Sequence, residues 1–163
     1  YRKNNKMLIE AYKLGINSDY DLIIVGGAWH DLDLSKEYKD IDGLWFMSDI
    51  EEAELVALFN AAEVFCFPSF YEGFGLPLLE AMNTATPILA ANASCLPEIA
   101  GDAALFFDPE NPRSLEDKLI KILFDDQLKA SLVEKGLQRA KDFSWEDAAR
   151  QTYELYQEVL AND

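Results

Sequence analysis

The sequence predicts an α/β domain built on a doubly wound parallel β-sheet with helices on both faces. Several short, strongly apolar runs are too compact for helices and are typical of buried strands. Segments whose apolar residues follow helical spacing separate most of these runs, and a Gly-Gly pair follows the first run. Alternating strands and helices are joined by right-handed crossovers, which place the strands parallel. The predicted strands are residues 21–25, 44–47, 63–67, 87–91 and 104–107.

The helices predicted before the third strand differ in the strength of their signals. A first helix ends at about Gly15, and residues 28–42 are so polar and acidic that they leave room only for a short helix. Ser48 with Glu51 predicts a capping box for a helix that ends at about residue 61. The apolar face of that helix comprises Leu55, Val56, Leu58 and Phe59.

The later helices carry clear start signals, and the whole chain, residues 1–163, fits one Rossmann-like domain. Pro77 lies in the first turn of a helix that begins at Leu76, and Asn111 precedes another whose buried face comprises Leu115, Leu119, Ile122 and Leu123. A further helix covers residues 126–141. Ser144 begins the last helix, at about residues 144–161.

Composition limits the possible partners and the compartment. The 163 residues carry a net charge of −16, so the mean field of the chain repels nucleic acid and anionic membranes. No long apolar segment or charged leader predicts a membrane span or a signal peptide. Cys66 and Cys95 are expected to be reduced thiols in a cytoplasmic protein, and His30 lacks neighbours at metal-ligand spacing.

The glycine loop, residues 67–75, connects the third strand to the helix at Leu76 and is the candidate site. Gly73 and Gly75 allow a ligand to approach the backbone, and the first amides of the following helix can bind an anion. Glu72 and Glu80 flank this pocket and suit hydroxyl groups instead. A ligand with both phosphate and sugar hydroxyls would satisfy both features, although a structural glycine turn with two solvated glutamates fits the same residues.

Residues 72–82, two glutamates eight positions apart around a Gly-Phe-Gly turn, resemble the nucleotide-sugar site of the retaining GT-B glycosyltransferases of family four. Four more stretches resemble landmarks of that family in the same order. They are Arg2-Lys3-Asn4, residues 23–27, residues 96–105 and residues 143–146. The match extends over almost the whole chain.

The resemblance implies a protein of two Rossmann-like domains, of which this chain would be the C-terminal, donor-binding half. The last helix, at about residues 144–161, would either pack on this half or cross to the other domain as it does in the family. It implies that Glu80 binds the ribose hydroxyls and that Lys3, with Arg2 beside it, contacts the diphosphate. Glu72 and Lys3 would be the catalytic groups. The other donor-binding positions implied are Gly73, Phe74, Gly75 and Leu76.

The same resemblance implies the partners. The donor would be a UDP- or GDP-linked sugar, no metal or other cofactor would be required, and the product would be a polysaccharide or glycolipid. The acceptor, and any contact with the inner membrane face, would involve an N-terminal domain absent from this chain, so the chain alone should bind donor without transferring it. The sequence departs from the family at Ser48, usually glycine, and in the short acidic stretch 28–42. A family arginine expected before Lys3 would precede the chain.

Three other interpretations remain open from the residues. Asp31 and Asp33, or Asp40 and Asp42, could form the metal-binding Asp-x-Asp of the other large glycosyltransferase fold. A sugar phosphorylase or epimerase-like enzyme could share the phosphate-binding helix, although no lysine lies where a phosphorylase would hold pyridoxal. A non-catalytic acidic domain could bind a basic partner.

The three tryptophans could each offer a platform for stacking against a sugar. The sequence favours core packing for Trp45, which lies in an apolar strand, and for Trp145, which lies in the first turn of a helix. Trp29 follows a Gly-Gly pair at the carboxyl end of a strand, so it is the tryptophan expected nearest the ligand.

Overall fold

A computed structural model describes residues 2–14, 19–26 and 34–161 of the chain. Strands and helices alternate from the first helix to the fifth strand, and three helices follow. In chain order the elements are α1 (Asn5–Lys13), β1 (Leu22–Val25), α2 (Leu34–Glu37), β2 (Leu44–Met47), α3 (Glu52–Ala61), β3 (Phe65–Phe67), α4 (Leu76–Asn83), β4 (Ile88–Ala91), α5 (Leu96–Ala100), β5 (Ala104–Phe107), α6 (Pro112–Phe124), α7 (Asp126–Arg139) and α8 (Trp145–Ala161).

All strand pairings in the described residues are parallel, as the alternating pattern predicts. β1 pairs with β2, and β4 pairs with both β3 and β5, so that the strands form a two-stranded and a three-stranded sheet. Helices cover both faces, and the α/β class with parallel sheets is therefore confirmed. Because β3 and β4 run side by side in the same direction, the loops that follow them lie at one edge.

The core lies around β4, whose four residues are all buried. α4 contributes Leu78, Ala81 and Met82 to this core, and each Leu-sized side chain that is fully buried contributes roughly 1.5–3 kcal/mol. α7 approaches α4 closely, since a Cβ on Gly136 would lie 3.3 Å from the Cγ of Met82. This packing fixes the helix that follows the glycine loop.

The predicted cap of α3 is wrong. The helix begins at Glu52, and the backbone N–H of Glu51 donates to the Glu54 carboxylate at 2.8 Å. Ser48 cannot cap α3 because Asp49, which lies between Ser48 and the start of the helix, is in the left-handed region, with φ of 55°. The predicted apolar face is also only partly buried, since Phe59 is buried while Val56 is exposed.

The two-stranded sheet corrects a second expectation, that of strands buried on both sides. Alternate residues of β1 and β2 are exposed, and the paired Ile23 and Trp45 lie on that exposed side with Val25 and Met47. A continuous apolar run predicts a strand that is covered on both sides. Here α2, the helix between the two strands, is only four residues long, and one side of the strands stays exposed. Trp145 is exposed as well, so the core packing predicted for both tryptophans is wrong.

Candidate functional site

The conformation of the glycine loop depends on Gly75. This residue adopts φ of 96° and precedes the first turn of α4, where a Cβ would lie 3.1 Å from the Cδ2 of Leu96. A side chain there would be strained by both its backbone angles and its neighbour. Gly73, by contrast, has no atom within 4 Å of the position a Cβ would take. The loop is thus fixed at Gly75 and open to a ligand at Gly73.

The amides at the start of α4 are not capped by any side chain. Pro77 has no N–H, as its position in the first turn predicts, and the N–H of Leu78 donates to the carbonyl of Gly75 at 2.8 Å. Within the described part of the chain, the amides of Gly73 and Gly75 donate no hydrogen bond. Both donors lie next to the positive end of a helix dipole, with Gly73 exposed and Gly75 buried.

Lys3 and Glu72, which lie 69 residues apart in the sequence, meet at this loop. The Lys3 ammonium donates to the Glu72 carboxylate at 2.8 Å and lies 5.3 Å from the centre of the Phe67 ring. A guanidinium nitrogen of Arg2 is 3.9 Å from the second carboxylate oxygen. The Phe70 N–H also donates to the Arg2 carbonyl at 2.9 Å, so the N-terminal turn is attached to the loop by backbone as well.

The electrostatic balance at this pair favours the charged carboxylate. Burial alone would raise the pKa of Glu72, but the hydrogen bond and charge of Lys3, with the more distant charge of Arg2, hold that pKa below its usual value. Arg2 and Lys3 therefore place two cations beside this one carboxylate, in a chain whose net charge is −16.

Ser69 is a polar residue of the loop that the sequence analysis does not single out. Its side chain is fully buried, and its Oγ has no hydrogen bond of ordinary geometry within the described residues. The hydroxyl nevertheless lies near enough to Glu72 to help lower the pKa of that carboxyl. Its position directly after Pro68, at the carboxyl end of a strand, is the signal that could have identified it.

Three predicted donor-binding residues lie on the surface of α4 or just before its first residue, namely Glu80, Leu76 and Phe74. Glu80 is exposed, and no other residue of the described part donates to its carboxylate. Leu76 and Phe74 are also exposed, with the Phe74 ring packed edge-on against Phe143 at 5.8 Å between centroids. The Phe74 side chain is thus directed to Phe143. Its backbone remains part of the loop, while Glu80 is separate from the Lys3–Glu72 pair.

Two residues that the sequence analysis missed hold the backbone of the glycine loop. The Ser94 hydroxyl donates to the Glu72 carbonyl at 2.9 Å and lies 3.3 Å from the Glu72 amide nitrogen. The Cys95 thiol lies 3.3 Å from the same carbonyl and 3.2 Å from that of Phe74. The signal that could have found them is the order of the strands, because the loops after neighbouring parallel strands meet at one edge.

Several residues considered for other roles lie outside the described residues, namely Trp29, His30, Asp31 and Asp33. Asp40 and Asp42 lie within the described part, where no group of three potential metal ligands occurs.

Residues 1–139 match the profile of the protein family described as glycosyl transferases group 1. The chain belongs to the glycosyl transferases group 1 family. The matched region contains the N-terminal turn, the glycine loop and Ser94 with Cys95. All of the residues that meet at the candidate site therefore lie within the part of the chain that defines the family.

Named relatives agree with this membership. The chain is 37% identical over 95% of its length to O-antigen chain mannosyltransferase B of Escherichia coli, of which it covers 42%. Sucrose-phosphate synthase from Thermosynechococcus elongatus superimposes with a TM-score of 0.83 at 28% identity, over 99% of this chain and 43% of that protein. The C-terminal domain of a glycosyl transferase group 1 protein from Francisella tularensis gives a TM-score of 0.75 at 27% identity, over 86% and 79% of the two chains.

The chain thus spans less than half the length of the Escherichia coli relative. Its similarity to a solved C-terminal domain covers most of that domain, so the fold is that of the C-terminal half of GT-B glycosyltransferases. None of the helices in the described ranges combines the length and apolar character needed to cross a bilayer.

Proposed function

We propose that this chain is the donor-binding half of a retaining glycosyltransferase that moves a sugar from a nucleoside-diphosphate sugar to a glycan or glycolipid acceptor. The observation that carries the proposal is the ion pair of Lys3 with Glu72 in a glycine loop whose Gly73 and Gly75 amides have no partner within the described residues, in a chain of this family. This arrangement provides positive charge for a diphosphate and a carboxylate for sugar hydroxyls within one small region.

Each group has a role in the proposal. Lys3 and Arg2 bind the diphosphate, together with the amides of Gly73 and Gly75. The backbone of Phe74 and Leu76 completes the same edge of the site. Glu72 binds the hydroxyls of the donor sugar. Glu80, exposed on α4, binds the ribose hydroxyls.

The ion pair also explains how Lys3 and Glu72 can keep their charged states and positions when no ligand is bound. Paired with each other, the two groups satisfy their charges and hold their positions. A diphosphate competes for Lys3, and the Glu72 carboxylate then becomes free to accept hydrogen bonds from a sugar. Binding of the donor thus separates a pair that is already arranged for it.

The chemistry requires that negative charge on the departing nucleoside diphosphate be stabilised. When the bond between the sugar and the diphosphate breaks, that bond's electron pair stays on the diphosphate oxygen. A fixed ammonium and oriented amides at a helix N-terminus stabilise such charge without reorganisation. The proposal therefore requires no metal ion.

The similarity to an O-antigen mannosyltransferase supports a hexosyl donor and a role in polysaccharide biosynthesis. We propose that the acceptor binds to the remainder of the protein, which is supported by the chain's covering only 42% of that relative. We propose accordingly that this chain alone binds donor but does not transfer the sugar.

Calorimetric titration of the full-length protein with UDP, GDP and ADP, with and without a chelator, tests the proposal. We expect one nucleotide to bind whether or not the chelator is present. Glu80→Ala should weaken this binding by about 1–3 kcal/mol, because a charged hydrogen bond to the ribose is lost.

Glu134→Ala is a matched control, because it removes an exposed glutamate from α7 and should leave the affinity unchanged. The absence of binding by all three nucleotides would overturn the proposal. Binding that is lost with the chelator would favour the metal-dependent alternative.

A further inference from the structure

Two adjacent side chains of the loop between β4 and α5 form hydrogen bonds with the glycine loop. The Ser94 hydroxyl and the Glu72 backbone form a reciprocal pair, at 2.9 Å to the carbonyl oxygen and 3.3 Å from the amide nitrogen. The Cys95 thiol carries one proton, which it shares between the carbonyls of Glu72 and Phe74 at 3.3 and 3.2 Å. The three backbone groups bonded are thus all in residues 72–74.

Those contacts determine the direction of two further amides. In a planar trans peptide, the carbonyl of one residue and the N–H of the next point in opposite directions. The Glu72 carbonyl, directed to Ser94 and Cys95, therefore turns the Gly73 N–H away from the β4–α5 loop. The Phe74 carbonyl, directed to Cys95, turns the Gly75 N–H away in the same manner.

Both amides turned away in this manner are the ones without a hydrogen bond in the described residues. Gly75 is buried, and buried backbone donors are seldom left unpaired, so its N–H, fixed in one orientation, indicates a ligand that accepts hydrogen bonds. The open space at Gly73, where no atom lies within 4 Å of a Cβ position, provides the room for it.

The backbone of Ser94 gives independent support. This residue lies in the left-handed region, with φ of 54°, a conformation unfavourable for residues other than glycine. Such strain persists where surrounding contacts require it, and it occurs often at ligand-binding sites. Here the strained backbone carries the hydroxyl that bonds the backbone of Glu72.

We propose that Ser94 and Cys95 are positioning residues that orient the amides of Gly73 and Gly75 toward the diphosphate of the donor. The inference rests on the proposed function, since it names which groups outside the site shape its phosphate-binding backbone. Ser94 and Cys95 do not touch the donor. They act through the peptide groups of residues 72–75.

The test measures the affinity of the full-length protein for a nucleoside diphosphate and, separately, for the corresponding nucleoside. The ratio of the two affinities isolates the contribution of the phosphates. Cys95→Ala removes the thiol, and Ser94→Gly removes the hydroxyl while keeping a residue that favours the left-handed conformation. We expect each to lower the ratio about tenfold, the size of one lost hydrogen bond, with the nucleoside affinity unchanged.

Cys95→Ser is the conservative variant, because its hydroxyl can donate to the same carbonyls, and it should restore most of the ratio. Ser114→Ala is the matched control: the Ser114 hydroxyl accepts from the Asp108 amide at 3.0 Å at the start of α6, so its loss should lower stability without changing the ratio. If Ser94→Gly fails to fold, Cys95→Ala alone decides the matter.

An unchanged ratio in Cys95→Ala would overturn the inference, and so would equal losses of nucleoside and diphosphate affinity. The proposed function fails in a different way, because the unsubstituted protein would then bind no nucleoside diphosphate at all.

Discussion

Glu72 forms the ion pairs of the candidate site through its side chain and the contacts with the neighbouring loop through its backbone. Its side chain is 10% exposed, its carboxylate faces Lys3 and Arg2, and its backbone is held by Ser94 and Cys95. Burial by itself favours the neutral form of this carboxyl, and the nearby cations outweigh that effect and keep it ionised. The same residue therefore contributes to stability and, in the proposal, to recognition of the donor.

The lowered pKa of Glu72 predicts a pH dependence. A carboxyl whose pKa is lower in the folded state contributes stability above its unfolded pKa, about 4.3, and loses it as the pH falls through the folded value. We expect Glu72→Gln to reduce the fall in the free energy of unfolding between pH 6 and pH 3, by roughly 0.2–1 kcal/mol, because Lys3 is half exposed.

Urea unfolding at a series of pH values measures this effect, and Glu134→Gln serves as the control. Parallel pH profiles for the unsubstituted chain and Glu72→Gln would contradict the assignment of the ion pair.

The two glycines of the loop should respond differently to alanine. Gly75→Ala places a side chain at φ of 96° and 3.1 Å from Leu96, and it should cost at least about 1–2 kcal/mol of stability. Gly73→Ala meets no atom within 4 Å, so it should barely change stability while weakening diphosphate binding. Thermal unfolding and calorimetry separate the two effects. Equal stability losses would mean that the loop is not anchored at Gly75.

At the scale of elements, local signals identify single helices and strands well but not the faces they bury. The Asn111 side chain caps α6 by accepting from the amides of Arg113 and Ser114, as the sequence predicts, and its four predicted core residues are all buried. These features depend on neighbours in the sequence. The exposure of Trp45 depends on which element covers β2, which its own apolar run does not specify.

The cap of α6 should matter more than that of α8. Asn111→Ala removes the acceptor for two amides at the start of a helix with four buried residues, so we expect a loss of about 1 kcal/mol in unfolding free energy. Ser144→Ala removes the hydroxyl that accepts from the Asp147 amide, but α8 has no buried residue, so any loss of helix should be local.

Urea unfolding monitored by tryptophan fluorescence and by circular dichroism measures both variants. A global destabilisation by Ser144→Ala equal to that by Asn111→Ala would show that α8 is part of the cooperative core.

The site illustrates what the sequence can and cannot provide at this scale. The sequence predicts Glu72, Gly73 and Gly75 as candidate site residues because one short stretch contains them, with its strand, turn and helix signals. Ser94 was missed because it reaches Glu72 from 22 residues away, through the pairing of β3 with β4. A side chain that acts on backbone across two loops leaves no local pattern.

At the scale of the whole molecule, α8 is a helix of 17 residues with no buried residue. All of its residues are exposed, among them Trp145, Tyr153, Tyr156 and Val159, although the helix is amphipathic. The chain also spans only 42% of its Escherichia coli relative. We therefore expect the remainder of the full-length protein to cover the apolar side of α8.

Hydrogen exchange tests this expectation. Amides of α8 should exchange rapidly in the isolated chain and become protected in the full-length protein, while those of β4 should be protected in both, since β4 is buried here. Rapid exchange of α8 in the full-length protein would show that this helix does not pack on the remainder.

The central claim is that the glycine loop, with the N-terminal turn, binds the diphosphate of a sugar donor. A crystal structure of the full-length protein with the nucleoside diphosphate that binds best tests it most directly. The account predicts phosphate oxygens within about 3 Å of the Lys3 ammonium and the Gly73 and Gly75 amides, with the Lys3–Glu72 contact lengthened. A nucleotide bound elsewhere, with that ion pair intact and the two amides still without partners, would contradict it.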